Sequence, residues 1–320
     1  MVGAAAFFMF ILGLCMMFII WKVVLIIDTV ILWFTVKWRP EKKISWTKLK
    51  ELYTFGWKML CSSLITELYT KLYDLIIGKA YLPSDLAFYN QGQQFPSIFI
   101  NTISSSMDSV LLPAMSKEQD DKDRIKNMTK LSIKVSIYIM APLMIGLAVI
   151  SEPLVEWILT DKWLPCVPYL RIFSINYLFI PIHTANLNAI KSMGRSDLFL
   201  KLEIIKKIIG LGILLITVQL GVLEMALGLF FSNICCQVIN SWPNKKLLNY
   251  SYWEQLTDIF SDIFLAVFMG AMISLIHQLS ISPCVCVVFQ IIVGIVIYII
   301  GSYIMKNTTF FYILNSLKKR

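Results

Sequence analysis

Hydrophobic residues are grouped along this chain in ten segments, most of them about as long as a bilayer-crossing helix, roughly 20 residues. Shorter polar stretches separate these segments and contain most of the charged side chains. The pattern predicts an all-α, polytopic membrane helix bundle with about ten transmembrane helices. The segments are 2–20, 23–36, 52–77, 86–112, 131–150, 169–190, 202–220, 223–242, 263–279 and 284–305.

The stretch from Tyr89 to Pro113 is unusual because polar residues recur within it at helical spacing. Their offsets of 4, 7, 4 and 3 place the side chains on one face of an α-helix. Polar groups at membrane depth persist where they face a water-filled cavity or other polar helices. We therefore expect this helix to line a path through the membrane. The polar residues are Asn90, Gln94, Asn101, Ser105 and Asp108.

Three charged residues, Glu67, Lys71 and Asp74, share one face of the preceding segment. Lys71 can pair with either carboxylate. A charge in hydrocarbon is unfavourable unless it is paired or hydrated, so the group is a candidate functional site. A self-neutralised cluster near the outer interface is the structural alternative, and the sequence leaves both open.

Later segments also contain polar side chains, and Pro181 is expected to break the helix that holds some of them. Amides either line a cavity or join helices through hydrogen bonds. The residues concerned are Asn186, Asn188, Asn233 and Gln237. His183 can relay a proton or be satisfied by a neighbouring carbonyl. Lys206 and Lys207 can meet a phosphate or extend to lipid headgroups.

Composition and charge narrow the class of protein. The chain is 58% hydrophobic and 15% charged, with a mean hydropathy of +0.71, as expected for a polytopic membrane protein. The loops 37–50, 115–130, 191–201, 242–254 and 306–320 contain 20 Lys and Arg residues, whereas the intervening connections contain three. This asymmetry predicts cytoplasmic basic loops and a cytoplasmic C-terminus. It also accounts for the net charge of +9 without a nucleic-acid partner.

No motif indicates a metal, a cofactor or catalysis. The seven cysteines lie mostly in apolar segments without metal-ligand spacing, and two histidines are too few for the usual zinc sites. Asp120 and Asp121 are a conceivable metal site for a sugar nucleotide, but a solvated loop is the favoured interpretation. We expect no metal, no cofactor, no catalytic residues and no enzymatic activity.

Several short motifs, taken in order, resemble bacterial lipopolysaccharide and O-antigen flippases. These Wzx-like polysaccharide exporters belong to the multidrug/oligosaccharidyl-lipid/polysaccharide exporter superfamily. The matching runs extend over most of residues 20–260. They are Trp38–Pro40, Phe55–Gly56, Asp74–Lys79, Tyr89–Asn90, Gln94–Pro96, Leu112–Ala114, Pro142–Leu147, Asn186–Asn188 and Gly194–Lys207.

The resemblance implies two six-helix lobes with a helix pair appended. Residues 1–37 would be the last helices of a truncated N-terminal lobe, and 38–50 a basic cytoplasmic linker. Residues 51–243 would form the complete C-terminal six-helix lobe, and 244–320 the appended helix pair and cytoplasmic tail. The chain departs from the family pattern because most of the first lobe is missing. The apolar start directly after Met1, without a charged segment, leads us to expect that it begins inside a longer protein.

The resemblance also implies a function in surface polysaccharide biosynthesis. Such exporters move an undecaprenyl-diphosphate-linked oligosaccharide across the bacterial inner membrane by alternating access, with ion or proton coupling. We expect Asp74, Asp108 and His183 to carry the coupling ion or proton. The expected cavity residues are Glu67, Lys71, Asp74, Asn90, Gln94, Asn101, Ser105, Asp108, Asn186, Asn188, Asn233 and Gln237. Expected partners are the lipid-linked oligosaccharide and membrane lipids, with a polysaccharide polymerase, glycosyltransferases and a separately encoded first lobe as further candidates.

Three other hypotheses stay open. A small-molecule or drug antiporter can use the same scaffold, and drug sensitivity on gene deletion would favour it. An integral membrane glycosyl- or acyltransferase would need Asp120, Asp121 or His183 to be catalytic. A non-functional remnant of a flippase gene would also explain the abrupt start, and the upstream sequence would decide that case.

Overall fold

The computed structural model describes residues 22–36, 45–278 and 282–318, and within them all regular secondary structure is helical. The predicted all-α class is confirmed, whereas the first predicted apolar segment, 2–20, lies outside the described residues. The chain divides into two compact units between Leu52 and Tyr53. In the first unit, residues 22–35 form a helix, α1.

The helices that follow α1 are mostly long and are joined by short connections. They are α2 (Trp46–Ala80), α3 (Pro83–Lys117), α4 (Lys122–Leu159), α5 (Val167–Leu178), α6 (Ile180–Ser192), α7 (Ser196–Thr217), α8 (Val222–Leu247), α9 (Tyr252–Ser274), α10 (Pro283–Ile304) and α11 (Thr308–Lys318). Residues Asp161–Cys166 and Leu275–Gln278 each form a short 3₁₀ helix.

Five stretches of the described chain are long and apolar enough to cross a membrane. They are α4, the stretch Asp161–Ser192 that contains α5 and α6, α8, α9 and α10. The total of ten spans stays a prediction.

Local sequence fixes several helix ends in the second unit. Asp121 accepts a hydrogen bond from the Arg124 backbone N–H at 3.0 Å and so caps α4. Ser251 and Glu254 form a reciprocal capping box at the start of α9. Gly194 follows α6 with a φ of 70°, a left-handed conformation that favours glycine at a helix C-terminus.

The predicted break near Pro181 is confirmed. α5 ends at Leu178, and α6 begins at Ile180 with Pro181 in its first turn. Proline is tolerated there because the first N–H groups of a helix have no intrahelical acceptor.

α4 is the central helix of the second unit and packs against α3, α5, α6, α9 and α10. Its fully buried side chains include Ile133, Ile137, Met140 and Met144. Between membrane helices, association depends on this close packing and on interhelical hydrogen bonds. This packing positions α3 and α6, which contain some of the polar groups described next.

The approach of α3 to the start of α5 requires a glycine. A Cβ atom built on Gly92 would lie 2.8 Å from the backbone nitrogen of Leu170 and 3.0 Å from the carbonyl oxygen of Cys166. Since backbone atoms cannot give way as a flexible side chain can, a larger residue at position 92 would separate the helices. Gly92 thereby fixes the orientation of α3 and of its polar face.

Candidate functional site

A polar cavity of about 520 Å³ lies within the second unit, between α2, α6, α7 and α8. Ser63 and Glu67 of α2 line the cavity and are also exposed, so it opens beside this helix. His183 of α6 and Asn233 of α8 line it as well. The cavity thus brings together five of the residues singled out in the sequence: Glu67, His183, Lys206, Lys207 and Asn233.

α7 contributes a buried ion pair to the cavity wall. Lys206 Nζ lies 2.5 Å from Glu203 Oε1, and the two side chains are only 9% and 7% exposed. Thr66 of α2 donates its hydroxyl to Glu203 Oε2 at 3.3 Å. A buried charge is stable when it is paired and hydrogen-bonded in this way. Lys206 therefore lies inside the bundle and does not extend to the headgroups.

Two further lysines lie over aromatic rings of the cavity wall. Lys207 Nζ is 4.5 Å from the centroid of Tyr69, and Lys191 Nζ is 4.8 Å from that of Phe199. The negative face of an aromatic ring attracts a cation at such distances. Tyr69 packs tightly against Gly210 of α7, where a Cβ atom would lie 2.8 Å from the Tyr69 Cζ atom.

Hydrogen-bonded side chains connect α5 and α6 to α8 in a series that we call the amide ladder. Its pairs are Asn176 with Asn233, His183 with Asn240 and Asn186 with Asn244, at 2.9, 2.8 and 2.6 Å. The partners are separated by 57, 57 and 58 residues along the chain. Because the separation is nearly constant, α8 runs parallel to α5 and α6.

Asn186 and Gln237 are enclosed away from the cavity, although we expected both to line it. Asn186 is fully buried and donates to Gln255 Oε1 of α9 at 2.8 Å. Gln237 is 4% exposed and accepts a hydrogen bond from the Tyr252 hydroxyl at 3.0 Å. Both amides therefore join helices through hydrogen bonds within the bundle, which is the alternative role of such residues in membrane proteins.

The polar residues of α3 form an exposed face in the second unit. Asn90, Gln94, Asn101, Ser105 and Asp108 are all exposed, whereas the opposite face is buried. The buried Asn188 of α6 donates to Asp108 Oδ1 at 2.7 Å and joins the end of this face to the bundle. We call these five α3 residues the outer polar face.

The charged residues of α2 are divided between two environments. Lys71 Nζ lies 3.9 Å from Asp74 Oδ2, with side chains 61% and 37% exposed. Glu67 lines the cavity instead. An exposed pair of this kind contributes at most about 1 kcal/mol to stability.

Two aspartates at helix starts, Asp121 and Asp197, are paired with nearby arginines. Asp121 Oδ2 lies 3.2 Å from Arg124 Nε, in agreement with the solvated-loop interpretation of Asp120 and Asp121. Hydrogen bonds from Arg195 lower the pKa of the Asp197 carboxyl below its usual value.

Comparison with known proteins places these features in a family. The family described as "Polysaccharide biosynthesis protein" matches residues 1–168, more than half of the chain. The chain belongs to this family. Teichuronic acid biosynthesis protein TuaB of Bacillus subtilis (strain 168) is 27% identical over 203 residues, which are 61% of this chain and 41% of TuaB. Lipopolysaccharide biosynthesis protein WzxC of Escherichia coli (strain K12) is 23% identical over 233 residues, 72% of this chain and 47% of WzxC.

The fold is similar to that of the lipid II flippase MurJ in an inward closed conformation. The TM-score is 0.66 at 15% identity, and the likeness covers 85% of this chain and 57% of MurJ. The predicted resemblance to Wzx-like exporters and the polytopic helical fold are both confirmed, and the chain is a multi-pass membrane protein. The chain spans less than half of the length of TuaB and WzxC.

The cavity also contains residues that we did not predict. Ser62, Ser63, Thr66 and Tyr69 of α2 line it together with Phe199 of α7. Ser62, Thr66 and Tyr69 are spaced by 4 and 3 residues, which places them on one helix face. Serine and threonine also bond to their own helix backbone, as Ser62 does to the Lys58 carbonyl. Because of this second role, the hydroxyl residues of α2 were only weak evidence for a cavity.

Proposed function

We propose that this chain forms part of a flippase for lipid-linked oligosaccharides in surface polysaccharide biosynthesis. The outer polar face of α3 carries the proposal: five polar side chains are exposed on one helix of a membrane-spanning bundle. Such a face is stable only against water, other polar helices or a polar solute. Family membership and the flippase fold support the same conclusion.

The proposed substrate is an undecaprenyl-diphosphate-linked oligosaccharide. Its sugars would cross along the outer polar face while the lipid tail stays in the bilayer, and two lobes would rock around the cavity by alternating access. Asp74, Asp108 and His183 are our candidates for the coupling ion or proton. Neutral hydrogen-bonding groups predominate on the face, which suits a hydroxyl-rich solute better than a bare ion.

The division into lobes is likewise a proposal. Residues 1–37 would end a first lobe, 38–50 would link the lobes, 51–243 would form the second lobe and 244–320 an appended helix pair. Since the chain spans less than half of TuaB and WzxC, a first lobe, separate or joined to this chain, would supply the facing wall. A polysaccharide polymerase and glycosyltransferases are candidate partners.

The proposed location is the bacterial inner membrane, with the basic loops and the C-terminus in the cytoplasm. The positive-inside asymmetry supports this orientation. Reporter fusions at the C-terminus would test it, and activity of a periplasm-specific reporter there would contradict it. No enzymatic step is proposed.

Complementation tests the function directly. An intact version of the protein with Asp108→Ala, expressed in a strain that lacks its own flippase, is expected to lose surface polysaccharide. Ser106→Ala is the matched control because Ser106 is also exposed on α3 but is not three or four residues from any member of the outer polar face. Normal surface polysaccharide in the Asp108→Ala strain would contradict the assignment, and drug sensitivity of the deletion strain would favour an antiporter.

A further inference from the structure

The cavity between α2, α6, α7 and α8 contains more positive charge than the flippase proposal uses. Lys206 and Lys207 line it, and Lys191 lies over Phe199 in its wall. Glu67 and Glu203 are the carboxylates of the lining. Two lysines and two carboxylates therefore line the cavity, and Lys191 adjoins it. Of the carboxylates, Glu203 is buried and Glu67 is exposed at the opening.

Lys206 has unused hydrogen-bonding capacity. An ammonium group has three N–H donors, and among the described residues Lys206 donates to Glu203 alone. The side chain is 9% exposed, so it is held within the cavity wall. A buried ammonium group is a strong donor to carboxylate or phosphate oxygens.

A second observation points to a ligand with hydroxyl groups. Asn240 lines the cavity and is 1% exposed, yet in the described part of the chain its Oδ1 atom accepts no hydrogen bond. Its Nδ2 atom is engaged with His183. A buried acceptor without a partner is unfavourable, and a ligand hydroxyl donating to it would remove that penalty. Serine and threonine hydroxyls of α2 also line the cavity.

We propose that this cavity is a binding site for an anionic sugar unit and that Glu203 is a built-in substitute for the ligand's acidic group. In the unliganded protein Glu203 neutralises Lys206. In the bound state a carboxylate or phosphate oxygen of the ligand takes the place of Glu203 Oε1 beside Lys206, with Lys207 as the second cation. Asn240 Oδ1 accepts from a hydroxyl of the same sugar.

The identification of this sugar with part of the lipid-linked oligosaccharide rests on the proposed function, whereas the anion site itself does not. A carboxylate would come from a uronic acid and a phosphate from a phosphorylated sugar. The two share the oxyanion chemistry that lysine recognises. The site would then select acidic over neutral units.

Binding to the purified full chain in lipid nanodiscs tests the site. The probes are glucuronate, inorganic phosphate and neutral glucose, measured by calorimetry. We expect glucuronate or phosphate to bind at least about tenfold more tightly than glucose, as charge-assisted contacts predict. Tighter binding of glucuronate assigns a uronic acid, and tighter binding of phosphate a phosphorylated sugar. Equal binding of glucose and both anions would overturn the proposal.

Variants of α7 give opposite expected effects. Glu203→Gln removes the competing carboxylate and is expected to strengthen anion binding by about tenfold, since it also raises the local positive potential. Lys207→Met is expected to weaken it by about tenfold through loss of one charge-assisted contact. Lys201→Met is the control because Lys201 is exposed on the same helix and outside the cavity lining.

Lys206 is tested in the Glu203→Gln background, where its removal leaves no uncompensated carboxylate in the pair. The double variant Glu203→Gln/Lys206→Met is expected to lose the gain of Glu203→Gln and to bind more weakly than the unmodified chain. Weaker binding by Glu203→Gln, or an equal loss in Lys201→Met, would sink the anion site. The flippase proposal would survive that result if Asp108→Ala still abolished complementation.

Discussion

The outer polar face of α3 and the amide ladder between α5–α6 and α8 use the same residue types for different purposes. On α3, Asn90, Gln94 and Asn101 are exposed. In the ladder, Asn176, Asn186 and Asn240 are buried and bonded across helices. The spacing in sequence is helical in both regions. The difference lies in the neighbour: ladder residues face another helix of the same unit.

A polar stripe on a helix of this bundle therefore has two stable outcomes. When a parallel helix presents complementary amides, the stripe becomes a structural joint. When none does, the stripe needs water or a polar solute. Substitutions in the buried set should therefore reduce stability, and substitutions in the exposed set should reduce activity while leaving stability nearly unchanged.

The largest stability effect is expected at the buried ion pair. Lys206→Met leaves the Glu203 carboxylate buried without its cation, which should cost about 3–5 kcal/mol. Unfolding in detergent, followed by circular dichroism, measures it. Lys71→Met is the matched control because the exposed Lys71–Asp74 pair contributes at most about 1 kcal/mol. Similar losses in both variants would contradict the distinction between buried and exposed charges.

The next largest stability effect is expected at Gly92, where α3 packs against α5. Gly92→Ala places a Cβ atom 2.8 Å from the Leu170 backbone nitrogen, and such overpacking should destabilise the fold by about 1–3 kcal/mol. Gly56→Ala on α2 is the control, because nothing lies within 4 Å of a Cβ atom there. Thermal unfolding of the two variants side by side is the measurement. An unchanged melting temperature for Gly92→Ala would contradict the close approach of α3 to α5.

The smallest stability effect is expected at the amide ladder, which can be compared directly with the outer polar face. Asn186→Ala removes hydrogen bonds to Gln255 and Asn244 and is expected to cost about 0.6–1.7 kcal/mol, the range typical of interhelical bonds in membranes. Asn101→Ala on the outer polar face should change stability by less than about 0.5 kcal/mol. Denaturant titration distinguishes the two. A greater loss for Asn101→Ala would show that α3 is packed there against a polar neighbour.

Much of the fold followed from the sequence because periodicity and proline act locally. The apolar segments predicted the helical class, Pro181 predicted the break after Leu178, and the offsets along α3 predicted its polar face. Each of these features depends on residues within one helix.

The candidate site was less predictable because it depends on contacts between distant helices. Asn186 and Asn233 have the same character in sequence, yet Asn186 is enclosed by α8 and α9 whereas Asn233 lines the cavity. The spacing of Glu203 and Lys206 permitted a pair, but Glu203 also accepts a hydrogen bond from Thr66, which is 137 residues away in the chain. Helical periodicity contains no information about such partners.

The constant spacing of the amide ladder has a mechanical consequence. Sliding α8 along α6 by a single residue, about 1.5 Å, would break all three pairs at once and leave their amides buried without partners. The three pairs therefore hold α5, α6 and α8 in one fixed register. The wall formed by α2 is held differently: its bonds to α7 include the Thr66–Glu203 hydrogen bond and the contact of Lys207 on Tyr69, which do not fix one register in this way.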